Sequence, residues 1–132
     1  MNVEKFIKSI YLGDRYCIEA KYYQLKNIFT IQMDSISRVR SDDCEWNYYT
    51  DEDIINGILV FEGVKEIVYE PSYFEFNDEI YDIRVKVINN ELYEFIVHGN
   101  YATGLKHTEG NVRILAKEIY LCDPDNPSVK VK

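Results

Sequence analysis

Chemistry in this chain would have to come from two histidines, three cysteines and 23 carboxylates. His98 and His107 stand nine positions apart, and no His-x-x-x-His or Cys-x-x-Cys pair surrounds them. A structural zinc site needs four converging ligands, so ordinary surface or loop histidines are expected, with no metal and no cofactor. Cys44 sits among Asp42, Asp43 and Glu45, whose negative charge disfavours a thiolate and makes it a poor nucleophile. Cys17 and Cys122 lie in strand-like stretches, where inert buried thiols are common. The odd, scattered set points to reduced thiols rather than disulfides. No Gly-x-Ser-x-Gly is present, and Gly99-Asn100-Tyr101-Ala102-Thr103-Gly104-Leu105-Lys106 lacks the Gly-Lys-Ser/Thr ending of a phosphate loop. No catalytic residues are assigned. Carboxylate-pair hydrolysis stays open because any acidic protein offers pairs, but the spacing selects none.

Asp51, Asp53 and Glu62 fall at positions 1, 3 and 12 of an EF-hand loop. Ile55 takes the fifth position and Gly57 comes one place too late, so the match fails. The acids matter more as a block. Residues 41–82 hold thirteen acids against the single base Lys65, a net charge of −12, while the rest of the chain carries +4. An overall charge of −8 argues against nucleic acid or an anionic membrane as partner. Within the block, Trp46, Tyr48 and Tyr49 stand next to Asp51, Glu52 and Asp53. Aromatic anchors ringed by charge suit a protein-binding surface for a basic partner. The alternative is that Trp46 and Tyr48 close one end of the core and the acids face water.

The elements that would position these residues read mainly as strands. Val3, Phe6, Ile7, Ile10 and Tyr11 repeat at helical spacing, which predicts a helix over roughly 3–12 whose stripe must dock on a sheet. After Gly13 the period becomes two. Residues 16–23 and 28–33 predict a hairpin about the polar turn at 24–27. Residues 40–57 lack periodicity and read as a long loop. Gly57 to Phe61 predicts a strand covered on both faces, continuing past a bulge at Gly63 and stopped by Pro71. Residues 81–87 and 93–97 predict a second hairpin about Asn89-Asn90, and the three glycines in 98–110 suggest a mobile loop. Val112, Ile114 and Ala116 alternate until the phase slips at Lys117-Glu118, where a bulge is expected.

The sum is a mainly β, α+β chain: an N-terminal helix packed on an antiparallel meander sheet or a β-sandwich. Its length fits one globular domain over 1–123 with a loose tail at 124–132. No apolar run approaches a membrane span or a signal core, which points to the cytoplasm.

Three stretches carry a resemblance: Met1 to Arg15, Trp46 to Asp53, and Leu59 to Val64. Together they resemble a family of small uncharacterised bacterial proteins, which brings no catalytic residues with it. The order of elements, size and charge are also similar to β-rich immunity proteins that neutralise bacterial toxins. That likeness implies a basic toxin, such as a nuclease, as partner. A small-molecule-binding β-domain, with a pocket between helix and sheet, is the other function the layout allows.

Overall fold

The structure is a computed structural model and describes residues 3–12, 15–38, 52–72 and 74–131. Helix α1, Val3–Lys8, buries Val3 and Phe6 of the expected stripe. It ends sooner than the sequence suggests. The Ser9 amide turns back to the carbonyls of Lys5 and Phe6, and its Oγ donates to Phe6 O at 2.6 Å. A hydroxyl that occupies a helix carbonyl competes with further winding. Strand β1, Ile10–Tyr11, is thereby freed to pair with Arg38 and Ser37.

The first expected hairpin forms as β2, Cys17–Tyr23, and β3, Ile28–Met33, joined by a 3-10 turn over Gln24–Lys26. Asn27 closes that turn at φ 54°, a left-handed conformation that asparagine tolerates. A register shift lies between Cys17 and Glu19; Cys17 is buried, as its strand-like context leads one to expect, and Ile18 is exposed. Strand β4, Ser35–Arg38, follows directly and pairs with β5, Glu52–Ile55. The expected loop over 40–57 is thus corrected at its far end. Ile54 stands opposite Ile36 and both are buried, a pairing that a four-residue acidic segment does not advertise.

Next come β6, Ile58–Glu62, and β7, Glu66–Glu70, then β8, Ile80–Asn89, β9, Leu92–Thr103, and β10, Lys106–Ala116. β11, Glu118–Cys122, and β12, Lys130–Val131, end the described chain. β12 pairs with Leu121 and Cys122, so the segment expected as a loose tail returns to the sheet near its end.

The strands form three antiparallel sheets in the orders β1-β4-β5, β7-β10-β9-β8 and β12-β11-β6-β3-β2. The fold is therefore mainly β with one short helix, in agreement with the sequence. Several strands bend from one sheet into the next. The phase slip at Lys117 is such a bend, carrying β10 of the four-stranded sheet into β11 of the five-stranded one. Gly63 makes the matching bend between β6 and β7 at φ 65°. Hydrogen bonds from Lys65 N to Leu115 O (2.7 Å) and from Lys117 N to Glu62 O (3.0 Å) lock the two bends together. Inward residues of all three sheets and of α1 form one continuous hydrophobic cluster. At its centre the Phe61 and Phe95 rings, from different sheets, meet edge to face with centroids 5.2 Å apart.

The loop expected at 98–110 is instead the β9–β10 hairpin, paired from Tyr93↔Ala116 out to Thr103↔Lys106. Gly99 and Gly110 stand opposite each other and are buried. A Cβ on Gly110 would come within 2.5 Å of the Phe74 ring, and one on Gly99 within 2.7 Å of the Phe76 ring. These glycines mark close ring-to-backbone packing, not mobility; only Gly104 serves the turn, at φ 60°.

Candidate functional site

Of the expected partner-binding residues, Trp46, Tyr48, Tyr49 and Asp51 lie outside the described residues, as does Cys44. Glu52 and Asp53 fall on β5, the edge strand of the three-stranded sheet. Asp53 is tied to the body of the fold. The buried Ser37 hydroxyl donates to its Oδ1 at 2.5 Å, Arg15 Nη2 donates to Ser37 Oγ at 2.8 Å, and the guanidinium stands 3.7 Å from the carboxylate. The Arg15 guanidinium also lies 6.0 Å over the ring of Tyr11, an exposed tyrosine. Asp53 thus closes a polar bridge between β4 and β5.

A second group of acids assembles where β8, β9 and β10 meet the loop before β8. Asp82 and His98 are directly paired across β8 and β9, and their side chains approach to 4.0 Å. His98 Nε2 lies 3.8 Å from Glu109 on β10, and the Tyr81 ring rests against the imidazole with centroids 5.2 Å apart. Tyr81 is 43% exposed. Partial burial and the negative charge of Glu109, Glu79 and Asp78 push its phenol above the ordinary value, so it is neutral at neutral pH. Arg84 stands 3.8 Å from Asp82 at the border of the group.

Hydrogen bonds hold the loop carrying Asp78 and Glu79. Asn100, 3% exposed, donates from Nδ2 to Asp78 Oδ2 at 2.7 Å and contacts His107 Nδ1 at 2.9 Å. Its backbone amide donates to Glu79 O at 2.9 Å. The Asn77 carboxamide pairs with Ala102 like a strand residue, donating to its carbonyl and accepting from its amide, both at 2.8 Å. Tyr16, 53% exposed, bridges to Glu79 from the other side. The Asp78 carboxylate and the backbone of Glu79 are therefore tied to the fold.

The sequence places Asp78, Glu79 and Asp82 in its acidic block but does not single them out, and it misses Tyr81, His98 and Glu109 as their neighbours. A signal was present for one pair: counting back from the turn at Asn89-Asn90 brings residue 82 opposite residue 98 to within one position. Glu109 arrives only through the longer β9–β10 hairpin.

Among the described residues no group of three or more His, Cys, Asp or Glu side chains converges as metal ligands. The EF-hand resemblance also dissolves, because Asp53 binds Ser37 while Glu62 accepts from Tyr120 and Lys130. Cys17 and Cys122 are free thiols; burial pushes Cys17 up to about 12.

Two hollows accompany these groups. A recess of about 290 Å³ lies beside α1 and is lined by Ile7, Tyr11, Tyr81 and Ile83. A larger cavity of about 520 Å³ opens between the five-stranded and four-stranded sheets. No helix among the described residues is long and apolar enough to cross a membrane.

Comparison with known proteins returns no match among curated proteins and none among solved structures. A family profile matches residues 1–132, and the chain belongs to that family, a family of unknown function designated DUF6258.

Proposed function

We propose that this chain is a protein-binding domain that docks a basic partner in the cytoplasm through its acidic, tyrosine-bearing surface. The observation that carries the reading is the gathering of Asp78, Glu79, Asp82 and Glu109 about the exposed Tyr81 and His98. Asn100 holds the Asp78 carboxylate, and Asp82 and Glu109 flank His98, so part of this charge is already placed to meet lysines and arginines. Trp46, Tyr48 and Tyr49 supply further aromatic anchors, with Asp51, Glu52 and Asp53 beside them. The partner class that fits best is a basic bacterial toxin such as a nuclease, whose cationic active site an acidic surface steers onto and blocks. In that reading the chain is an immunity protein.

The test uses the basic product of an adjacent reading frame, co-expressed with the full chain. The expected result is a complex whose association slows as the Debye length shrinks from ~10 Å at 0.1 M salt to ~3 Å at 1 M. Neutralising the group with Asp82→Asn, Glu79→Gln and Glu109→Gln should slow association at low salt and leave dissociation nearly unchanged. Trp46→Ala separates anchor from core: an anchor loses binding with folding intact, whereas a core tryptophan costs ~3–5 kcal/mol of stability. A complex indifferent to salt and to all three neutralisations would overturn the proposal.

A further inference from the structure

Each of the three sheets ends in strands that pair on one side only, and such edges are templates for pairing with another chain. The edges are β1 and β5, β7 and β8, and β12 and β2. β1 and β12 are two residues long, too short to template a partner. The others differ in what a second copy of the same strand would meet. Antiparallel self-pairing about a two-fold axis must be centred on a residue, so that facing side chains share a face. Centred on Val68, β7 sets Glu66 against Glu70 of the second copy at both ends. β5 carries Glu52 and Asp53 and no base. On β8 the part around Asp82 and Ile83 lies against α1, and the rest, from Arg84 to Asn89, carries only the bases Arg84 and Lys86. Like charges brought together across two strands disfavour pairing.

β2 has the opposite character. It is seven residues long, with Ile18 54% and Tyr22 39% exposed. Its start is already occupied, because the Cys17 amide donates to Asp78 O at 3.0 Å and Tyr16 bridges to Glu79. Among the described residues no strand pairs with the outer side of β2 from Ile18 to Tyr23. The register shift at Cys17–Glu19 guards only the beginning of this edge, and no proline guards the rest. Glu19 and Lys21 stand across from Gln32 and Thr30 of β3, so both leave from one face, and both are exposed. Within one chain neither makes an ion pair among the described residues, and Lys21 Nζ rests 4.9 Å over the Tyr23 ring. Centred on Ala20, self-pairing sets Glu19 against Lys21 of the second copy and Lys21 against its Glu19. The small Ala20 meets itself on the axis, and Ile18 comes beside Tyr22 of the second copy. Two reciprocal ion pairs thus form where β5, β7 and β8 would gather like charge.

We propose that β2 is the interface of a symmetric homodimer, in which antiparallel pairing over Ile18 to Tyr22 joins two five-stranded sheets into one continuous sheet. The contact is small, so the dimer is weak and forms in the upper micromolar range. It uses none of Asp78, Glu79, Asp82 and Glu109, so this proposal and the docking of a basic protein can fail separately.

The experiment is analytical ultracentrifugation of the full chain at low ionic strength, from ~10 μM to ~1 mM. A monomer–dimer equilibrium that stops at two copies is expected, since a two-fold interface closes on itself. Glu19→Lys and Lys21→Glu, each alone, set like charges opposite one another and should weaken dimerisation by about tenfold or more. An equimolar mixture of these two variants regains both ion pairs in a heterodimer, and the double variant regains them in a homodimer. Both should associate within about threefold of the parent. Denaturant midpoints confirm that each variant is folded; should one single variant unfold, the other single and the double variant decide between the same outcomes. A parent that stays monomeric at ~1 mM, a dimer indifferent to the single exchanges, or a mixture that associates no better than either variant alone would each overturn the proposal.

Discussion

Gly110→Ala tests whether close packing of Phe74 on the β9–β10 hairpin is what demands glycine there. A methyl group at this position would meet Phe74 Cδ2 at 2.5 Å, Phe74 Cγ at 2.7 Å and the Glu70 carbonyl oxygen at 2.7 Å. Separations under 3.0 Å are essentially never seen for real Cβ atoms, so something has to move. Gly110 is not among the positive-φ glycines, so alanine meets no backbone strain, and its lower chain entropy favours the strand by ~0.5–1 kcal/mol. Against that gain stands overpacking of a full core, ~1–3 kcal/mol. The Glu70 oxygen cannot rotate away as a side-chain end would, which places the cost in the upper half of that range. The net expectation is a loss of ~1–2 kcal/mol, a drop in Tm of roughly 5 °C for a chain of this size. Denaturant unfolding and thermal scans of the parent, Gly110→Ala, Phe74→Leu and the double variant would measure it. The smaller leucine relieves part of the clash, so the double variant should be more stable than the sum of the singles by at least ~0.5 kcal/mol. A neutral or stabilising Gly110→Ala, or strict additivity with Phe74→Leu, would refute the packing argument.

Alkaline pH gives a second expectation. Burial raises Cys17 from 9.0 to about 12, and burial with the adjacent Glu62 raises Tyr120 from 10.0 to about 12. The fold favours the neutral forms, so stability is intact below pH 9 and declines as pH climbs toward 12, by up to ~1.4 kcal/mol per pH unit for each group. Denaturant midpoints between pH 8.5 and 11 should show the decline and Cys17→Ala should flatten its onset; a flat parent profile would count against it. Third, removing residues 1–8 strips the buried Val3 and Phe6 from the cluster and should cost ~3 kcal/mol or more. An unchanged melting temperature in the truncated chain would show that α1 covers nothing essential.

Local patterns were readable wherever one face of an element is buried. The stripe through Val3 and Phe6, the 16–33 hairpin, the apolar run at 58–61 and the phase slip at Lys117 all correspond to observed features. Misreadings arose where a distant residue decides the local conformation. Ile10 and Tyr11 fit the helical stripe, yet β4 claims them. Glu52–Ile55 carries too few apolar residues to announce a strand, and only Ile36 makes it one. Gly99 and Gly110 look like loop residues until Phe74 and Phe76 are known to lie over them. The site was legible to the same degree. Charge density marked the acidic block, but the convergence of Tyr81, His98 and Glu109 depends on register across three strands.

The Asn77 carboxamide, which pairs with Ala102 as a peptide unit would, has a consequence for how the protein breathes. β9 runs beyond the start of β8, and on that side Asn100 and Ala102 offer their amides to no neighbouring strand. Asn77 Oδ1 and the Glu79 carbonyl take those protons instead. In hydrogen exchange, these two amides therefore report the opening of the loop rather than fraying of the hairpin tip. The loop and the tip become one cooperative unit, and Asp78 and Glu79 ride on it. Opening of the whole loop moves Asp78 and Glu79 and unprotects the two amides together, whereas release of Asn77 alone unprotects only Ala102, so comparing exchange at the two amides times each event.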